Sequence, residues 1–70
     1  MKIQVTLFSG MGYKPISTIV DYPKESHYSE ARLKAKKDGV LRICAQRHMT
    51  MMDLKKYGYA EMKMRKVEEE

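Results

Sequence analysis

Apolar and polar residues alternate at both ends of the chain. Successive side chains of a strand point to opposite faces, so a period of two is typical of a strand with one buried face. This pattern predicts a first strand over residues 2–8 and a last strand over residues 59–67. The apolar residues that share one side are Ile3, Val5 and Leu7 in the first strand and Ala60, Met62 and Met64 in the last.

A turn and a second strand are predicted directly after the first strand. Residues 9–15 contain two glycines and end in Pro15, and the run Ile16–Val20, rich in β-branched residues, follows. Glycine permits positive φ and proline opposes helix formation, so this segment is typical of a hairpin loop of about six or seven residues. Pro23 cannot donate a hydrogen bond to a sheet and therefore ends the second strand.

Helical composition runs from about residue 30 to residue 49, and Ser26 or Ser29 is suited to cap its start. Two apolar lines run along this segment roughly half a turn apart, and Gly39 lies where one line gives way to the other. Glycine inside a helix costs about 1 kcal/mol relative to alanine, so one bent helix and two helices meeting near Gly39 both remain open. The first line contains Tyr28, Ala31 and Ala35, and the second contains Leu33, Val40 and Cys44.

A short capped helix is predicted over residues 51–57. The hydroxyl of Thr50 can accept a hydrogen bond from the Asp53 amide, while the Asp53 carboxylate can accept one from the Thr50 amide. This reciprocal arrangement is a capping box. Gly58 can adopt the left-handed conformation that ends a helix.

These elements predict an α+β fold of order β-β-α-α-β, with helices on one face of a three-stranded sheet. The last strand is expected to return to the N-terminal hairpin. Residues 1–67 are assigned to one small domain and residues 68–70, all glutamate, to a frayed acidic tail. The residues expected to be buried beneath the helices are Ile3, Val5, Met62 and Met64.

Composition narrows the class of protein. The chain has 70 residues, of which 43% are hydrophobic and 33% charged. A chain of this length buries only about 60% of its unfolded surface, so a homodimer would add burial that the small core lacks. Cys44 is the only cysteine, which excludes an internal disulfide, and the N-terminus lacks an apolar run of signal-peptide length. We therefore expect a soluble, cytoplasmic protein with no membrane segment.

Positive charge is concentrated in residues 32–66. This segment has an excess of +8, whereas the whole chain carries +5. It also contains helix and strand signals, so the charge is expected to lie on a folded surface, which typically binds a polyanion. Lysine and arginine neutralise phosphates, and tyrosine rings can stack on unpaired bases. The residues predicted to contact nucleic acid are Arg42, Arg47, Lys55, Lys56, Tyr57, Tyr59, Lys63 and Arg65.

The charge pattern favours a small, non-enzymatic nucleic-acid-binding protein with an accessory or regulatory role, with DNA expected as the partner rather than RNA. Residues 40–57 could form a helix-turn-helix in which Met51, Leu54 and Tyr57 pack inward. A capped helix packed on a sheet is the simpler interpretation. The second helix would be about two turns long and would lack the Asn, Gln or Arg side chains that read bases.

A protein-interaction module is the alternative function. Five methionines lie within the 16 residues from Met49 to Met64. Methionine fills irregular core space, and it also forms adaptable docking surfaces. This alternative predicts that a host protein binds to the methionine-rich surface or to an exposed sheet edge.

No catalytic, metal or cofactor site is predicted. Cys44 and His48 are one helical turn apart, but zinc requires three or four ligands, and His27 stands apart from them. A small buried thiol is therefore expected at Cys44. Gly10 and Gly12 do not form a phosphate-binding fingerprint, because no third glycine opens a helix after them.

The segment Ile43–Tyr59, which leads into the basic residues Lys63–Arg65, resembles short accessory proteins encoded by bacteriophages and prophages of Gram-positive bacteria. The resemblance covers about a third of the chain and rests on its small size, its basic composition and the threonine-capped turn. It implies an origin in a mobile genetic element, and therefore either DNA-related work or binding to a host protein. It implies no enzymatic activity and transfers no functional residue.

Overall fold

Three strands and two helices form the fold, in the predicted order β-β-α-α-β. The computed structural model describes residues 1–67, and the predicted acidic tail at residues 68–70 lies outside them. The strands form one antiparallel sheet in the order β2-β1-β3, and both helices pack on one face of it. The predicted α+β class is therefore confirmed. The elements are β1 (Lys2–Ser9), β2 (Ile16–Asp21), α1 (Tyr28–Arg47), α2 (Met51–Lys56) and β3 (Tyr59–Val67).

β1 is the central strand because both other strands pair with it. Val5 lies opposite Thr18 of β2 and Met64 of β3, so these three side chains point to the same face. The prediction that the last strand returns to the hairpin is confirmed. A register shift between Phe8 and Ser9 marks an irregularity at the end of the pairing with β3.

The core lies between the sheet and the helices. Ile3 and Val5 are fully buried, as predicted, whereas Met62 and Met64 are only half-buried. β3 is an edge strand, and no further strand within residues 1–67 covers its outer flank. The predicted burial is therefore confirmed for β1 and only in part for β3. The buried apolar residues are Ile3, Val5, Leu7, Ile16, Val20, Ala31, Ala35, Ile43 and Leu54.

Gly39 lies inside a single helix, because α1 runs without a break for 20 residues. At Gly39 the helix crosses the central strand so closely that an added Cβ would lie 2.7 Å from Cγ2 of Val5. Gly39 is thus a point of close approach and not a helix end. Leu33, on the second predicted apolar line, is 68% exposed and does not belong to the core. The buried stripe of α1 consists of Ala31, Ala35, Gly39 and Ile43.

The start of α1 differs from the prediction. The N-cap residue is His27, and no side-chain hydrogen bond caps this end of the helix. The predicted cap by Ser26 or Ser29 is therefore wrong. The helix begins at Tyr28, which packs against the core, so burial anchors the first turn in place of a cap.

The end of α1 also comes earlier than predicted. His48 adopts a left-handed conformation with φ 53°, and Met49 N–H donates to the carbonyl of Cys44 at 2.9 Å. This bond satisfies the Cys44 carbonyl, in the last turn of the helix, in the manner of a C-terminal cap. The helix therefore ends at Arg47 although no glycine is present at the stop.

α2 begins at the predicted capping box. The Asp53 amide donates to Oγ1 of Thr50 at 3.1 Å, and the Thr50 amide donates to Oδ2 of Asp53 at 2.9 Å. Gly58 follows with φ 75°, as predicted. Leu54 is buried but Met51 is 56% exposed, so the inward orientation of Met51 in the helix-turn-helix interpretation is wrong. A helix of six residues turns only Leu54 into the core.

Polar contacts hold α1 against the β2 side of the sheet. Tyr22 Oη donates to Oδ2 of Asp38 at 2.6 Å, and Thr18 Oγ1 donates to Oε1 of Gln46 at 3.1 Å. Partial burial, and then the hydrogen bond to Asp38 and its negative charge, raise the pKa of Tyr22 above its ordinary value. Both contacts lie on one flank of the helix because both reach toward β2.

An exposed ion pair joins the connection between β2 and α1 to the helix. Lys34 donates a hydrogen bond to Glu25, which lowers the pKa of Glu25 and raises the pKa of Lys34. Within residues 1–67, no helix is both long and apolar enough to cross a membrane.

Candidate nucleic-acid interface

The face of the sheet opposite the helices is uncovered. The helices pack against the side of β1 that carries Ile3, Val5 and Leu7, so the alternate residues of each strand point away from them. We call this surface the open face. Its paired rows are Asp21, Lys2 and Val67; Ile19, Gln4 and Arg65; Ser17, Thr6 and Lys63; and Phe8 with Glu61.

Two cations of β3 lie against polar and aromatic groups of β1 on the open face. Arg65 Nε donates to Oε1 of Gln4 at 2.6 Å. Lys63 Nζ lies 5.4 Å from the centroid of the Phe8 ring, within the range of a cation–π interaction. A shallow cavity of about 290 Å³ lies among these four residues and Thr6. The open face therefore combines positive charge, amide and hydroxyl groups and one aromatic ring.

A second cluster lies beside the hairpin loop, and we call it the tyrosine pocket. The ring centroids of Tyr13 and Tyr57 are 5.1 Å apart with the rings at 75° to each other. Tyr59 Oη donates to the carbonyl of Lys14 at 2.7 Å, and Lys56 Nζ lies 5.9 Å from the Tyr57 centroid. A cavity of about 330 Å³ is lined by Tyr13, Ile16, Arg47, Met49, Tyr57 and Tyr59.

Hydrogen bonds between the hairpin loop and the start of β3 assemble the tyrosine pocket. Gly10 N–H donates to the carbonyl of Gly58 at 3.0 Å, and Ser9 Oγ donates to the carbonyl of Tyr57 at 2.6 Å. A Cβ added at Gly58 would lie 2.8 Å from Cγ of Met11. Glycine is therefore favoured at this position by its positive φ, whereas the exposed and flexible Met11 side chain could move away from an added Cβ.

The residues predicted to contact nucleic acid fall into separate groups. The structure brings Lys63 and Arg65 together on the open face. It brings Arg47, Tyr57 and Tyr59 together in the tyrosine pocket, with Lys56 beside the Tyr57 ring. The predicted cations are therefore spread over the open face, the tyrosine pocket and the helical layer, and are not concentrated on one surface.

Among residues 1–67, neither Arg42 nor Lys55 lines the open-face cavity or the tyrosine pocket. Arg42 is exposed on α1, one turn from Asp38 and one turn from Gln46, which both bond toward β2. Lys55 lines a cavity of about 190 Å³ between α2 and β3. These two cations therefore flank the helical layer.

The contribution of β1 to the open face was missed from the sequence. The basic segment contains β3, whereas Gln4, Thr6 and Phe8 belong to the opposite end of the chain. The alternation that buries Ile3 and Val5 was a signal that their neighbours face outward. Only the register of β1 against β3 shows which of those neighbours lie beside Lys63 and Arg65.

Cys44 and the acidic residues form no metal centre within residues 1–67. No group of three or more His, Cys, Asp or Glu side chains in this range could hold a metal ion. Cys44 is half-buried and packs against the core cluster that contains Leu7 and Ile43. The thiol is therefore more accessible than the sequence indicated.

Comparisons with known proteins identify no relative of this chain. No protein-family model matches it, and the searches of curated proteins and of solved structures found no significant match. The functional inference below therefore depends on the geometry of the open face and of its surroundings.

Proposed function

We propose that this protein is a small, non-enzymatic nucleic-acid-binding protein with an accessory or regulatory role, and that it binds DNA in preference to RNA. The observation that carries the proposal is the pair Lys63 and Arg65 on the open face. Both side chains are exposed, both lie on β3, and the bulk of the helices does not cover them. A polyanion can therefore reach both cations at once.

The neighbours of this pair also favour a nucleic acid over a simple anion. Phe8 offers a ring on which a base can stack, and Gln4 and Thr6 offer groups that can hydrogen-bond to bases or phosphates. A surface that only kept the protein dispersed in solution would need none of these groups beside the charge.

The salt dependence of binding tests the proposal. Binding of the intact chain to fluorescein-labelled DNA would be measured by anisotropy over a range of salt concentrations. Each phosphate neutralised on a single strand contributes about 0.7 to the slope of log affinity against log salt. The double variant Lys63→Gln/Arg65→Gln is therefore expected to lower the slope by about 1.4, with a matching loss of affinity at low salt.

A charge-matched variant separates position from net charge. Lys55→Gln/Lys56→Gln removes the same charge from α2, away from the open face. We expect it to change the slope by less than half as much as the open-face variant. Equal effects of the two double variants would contradict a site on the open face, and absence of binding to single strands and duplex at about 50 mM salt would contradict nucleic-acid binding itself.

A protein-interaction function is the second candidate, and an apolar groove in the helical layer supports it. The groove, of about 380 Å³, is lined by Val40, Leu41 and Met51, with Lys36 and Lys37 at its rim. Leu41 and Met51 are more than half exposed, as is Met52 beside them. An acidic partner with apolar side chains would suit this composition.

Pull-down from nuclease-treated lysate tests the second candidate. The double variant Leu41→Gln/Met51→Gln is expected to lose a bound host protein that the unchanged chain retains. Leu33→Gln provides the control, because Leu33 is exposed on α1 but does not line the groove. Retention of the same partner by the groove variant would contradict this function. The phage-type origin implied by the sequence resemblance stays a prediction under both candidates.

A further inference from the structure

Phe8 is the only phenylalanine of the chain, and it does not belong to the core. Its side chain points to the open face, where the amine of Lys63 lies over the ring. The ring is half-buried, so its position is held by the strand while part of its surface stays accessible. Aromatic rings on positively charged surfaces are the usual platforms for unpaired bases.

Charge is distributed unevenly across the open face. The β3 side carries Lys63 and Arg65, with the carboxylate of Glu61 at its end opposite Phe8, whereas the β2 side carries Ser17, Ile19 and Asp21. Asp21 already interacts with the N-terminal ammonium, at 3.6 Å. Phosphates are therefore favoured along β3, and the bases of the same strand are directed toward β1 and β2.

The width of the open face argues against a duplex ligand. Neighbouring strands are about 4.8 Å apart, so the three strands and their side chains form a broad, continuous surface. The major groove of B-DNA, about 12 Å wide, admits a helix or a two-stranded ribbon. A three-stranded face exceeds that ribbon, and the ring of Phe8 would have no unpaired base to meet in a duplex.

Phe8 and Ile19, two of the apolar side chains on the open face, indicate the length and the base composition of the nucleic-acid strand. Phe8 and Gln4 are about 13 Å apart along β1, and Ile19 lies across from Gln4. Ile19 is 46% exposed and can contact the C5 methyl group of thymine, which uracil lacks. A run of a few nucleotides can therefore reach from Phe8 to Ile19.

From these observations we infer that the open face binds a short run of single-stranded, thymine-containing DNA, with one base stacked on Phe8 and the phosphates along Lys63 and Arg65. This inference rests on the proposed function and names the ligand of the same site. The base takes the ring surface that the amine of Lys63 covers in the free protein. The flexible lysine stem lets the amine move to a phosphate, so its charge stays paired.

Anisotropy titrations with three probes test the inference: a short oligothymidylate, a hairpin duplex of equal phosphate number, and an oligouridylate. We expect the oligothymidylate to bind at least tenfold more tightly than the duplex, and more tightly than the oligouridylate. Phe8→Leu keeps an apolar side chain but removes the stacking surface. It is expected to weaken oligothymidylate binding about tenfold while leaving the salt slope unchanged, because no charge is lost.

Leu33→Ala is the control for loss of an exposed apolar side chain elsewhere, and we expect it to change the affinity less than twofold. A second measurement does not depend on variant folding. Ring protons of Phe8 in the unchanged protein are expected to shift in nuclear magnetic resonance spectra when oligothymidylate is added, because a stacked base alters their local field.

The outcomes separate this inference from the proposed function. If the duplex binds as tightly as oligothymidylate, the inference is overturned while nucleic-acid binding stands. The same holds if Phe8→Leu leaves the affinity for oligothymidylate unchanged and the ring protons of Phe8 do not shift. Loss of binding in Tyr13→Leu but not in Phe8→Leu would place the base in the tyrosine pocket and overturn it as well. Failure of every probe to bind would overturn both.

Discussion

The two faces of the sheet have opposite compositions, although the same strands form both. On the covered face Ile3 and Val5 are fully buried, whereas Ile19 on the open face is 46% exposed and lies near Arg65 and Gln4. Each strand contributes to both faces in turn, and a shift in register of one residue would exchange them. The buried core and the open surface are therefore encoded at alternate positions of one sequence.

The same substitution on the two faces provides the largest expected contrast. Ile3→Ala leaves a cavity in the core and should lower the free energy of unfolding by about 3 kcal/mol. Ile19→Ala removes the same atoms from a half-exposed site and should cost less than about 1 kcal/mol. Urea denaturation followed by circular dichroism measures both. Equal losses in the two variants would mean that the open face is covered in solution, for instance by a second copy of the chain.

Gly39 tests how closely the covering helix approaches the covered face. Gly39→Ala brings a Cβ to 2.7 Å from the Val5 side chain, and such overpacking costs about 1–3 kcal/mol. Higher helix propensity returns about 1 kcal/mol, so we expect a net loss of about 1 kcal/mol by denaturation.

Gly10→Ala is the control for the glycine effect, because nothing lies within 4 Å of a Cβ at that position. Its stability is expected to change by less than about 0.5 kcal/mol. A Gly39→Ala variant more stable than the unchanged protein would show that α1 stands further from Val5 than the structure has it.

The capping box tests whether α2 is a fixed part of the covering layer. Thr50→Ala removes the acceptor of the Asp53 amide and should cost about 1 kcal/mol. Thr50→Ser retains that acceptor and should cost much less. Denaturation midpoints of the two variants provide the measurement, and equal midpoints would contradict the capping box.

The hydrogen bond between Tyr22 and Asp38 gives the smallest expected effect, with a definite dependence on pH. The pKa of Tyr22 is raised in the folded protein, so the unfolded chain loses this proton first as the pH rises. The contribution of this hydrogen bond to the free energy of unfolding is therefore present in full below about pH 10 and declines above that pH.

Tyr22→Phe should cost less than about 1 kcal/mol at neutral pH, because the bond is exposed. The variant should also lose less stability than the unchanged protein between neutral pH and about pH 11. Denaturation at several pH values measures this difference. A variant that loses stability just as steeply with alkali would show that Asp38 does not hold the tyrosine proton.

Local signals predicted the elements well because each rests on short-range physics. The alternation at Ile3, Val5 and Leu7 and the capping box at Thr50 and Asp53 depend on residues a few positions apart. The start of α1 was missed because burial of Tyr28, a long-range contact, anchors its first turn in place of a cap.

The candidate site was predictable only in part. Lys63 and Arg65 were identified from charge, but Gln4, Thr6 and Phe8 were not, because their proximity depends on pairing between the two ends of the chain. The tyrosine pocket likewise needs the hairpin loop to fold back onto Gly58.

The sequence by itself determined the order of the elements, the α+β class and which residues of β1 form its apolar side. Propensity, capping and periodicity, on which these features depend, act locally. Tertiary structure decided the rest. It made Gly39 a contact point and not a break, because the helix crosses Val5 there. It also spread the basic segment over the open face, the tyrosine pocket and the helical layer, because Lys63 and Arg65 of β3 face away from the helices, the end of α1 lies beside the hairpin loop, and other cations stay on the helices. Position in space depends on packing between distant segments, and no local pattern contains that information.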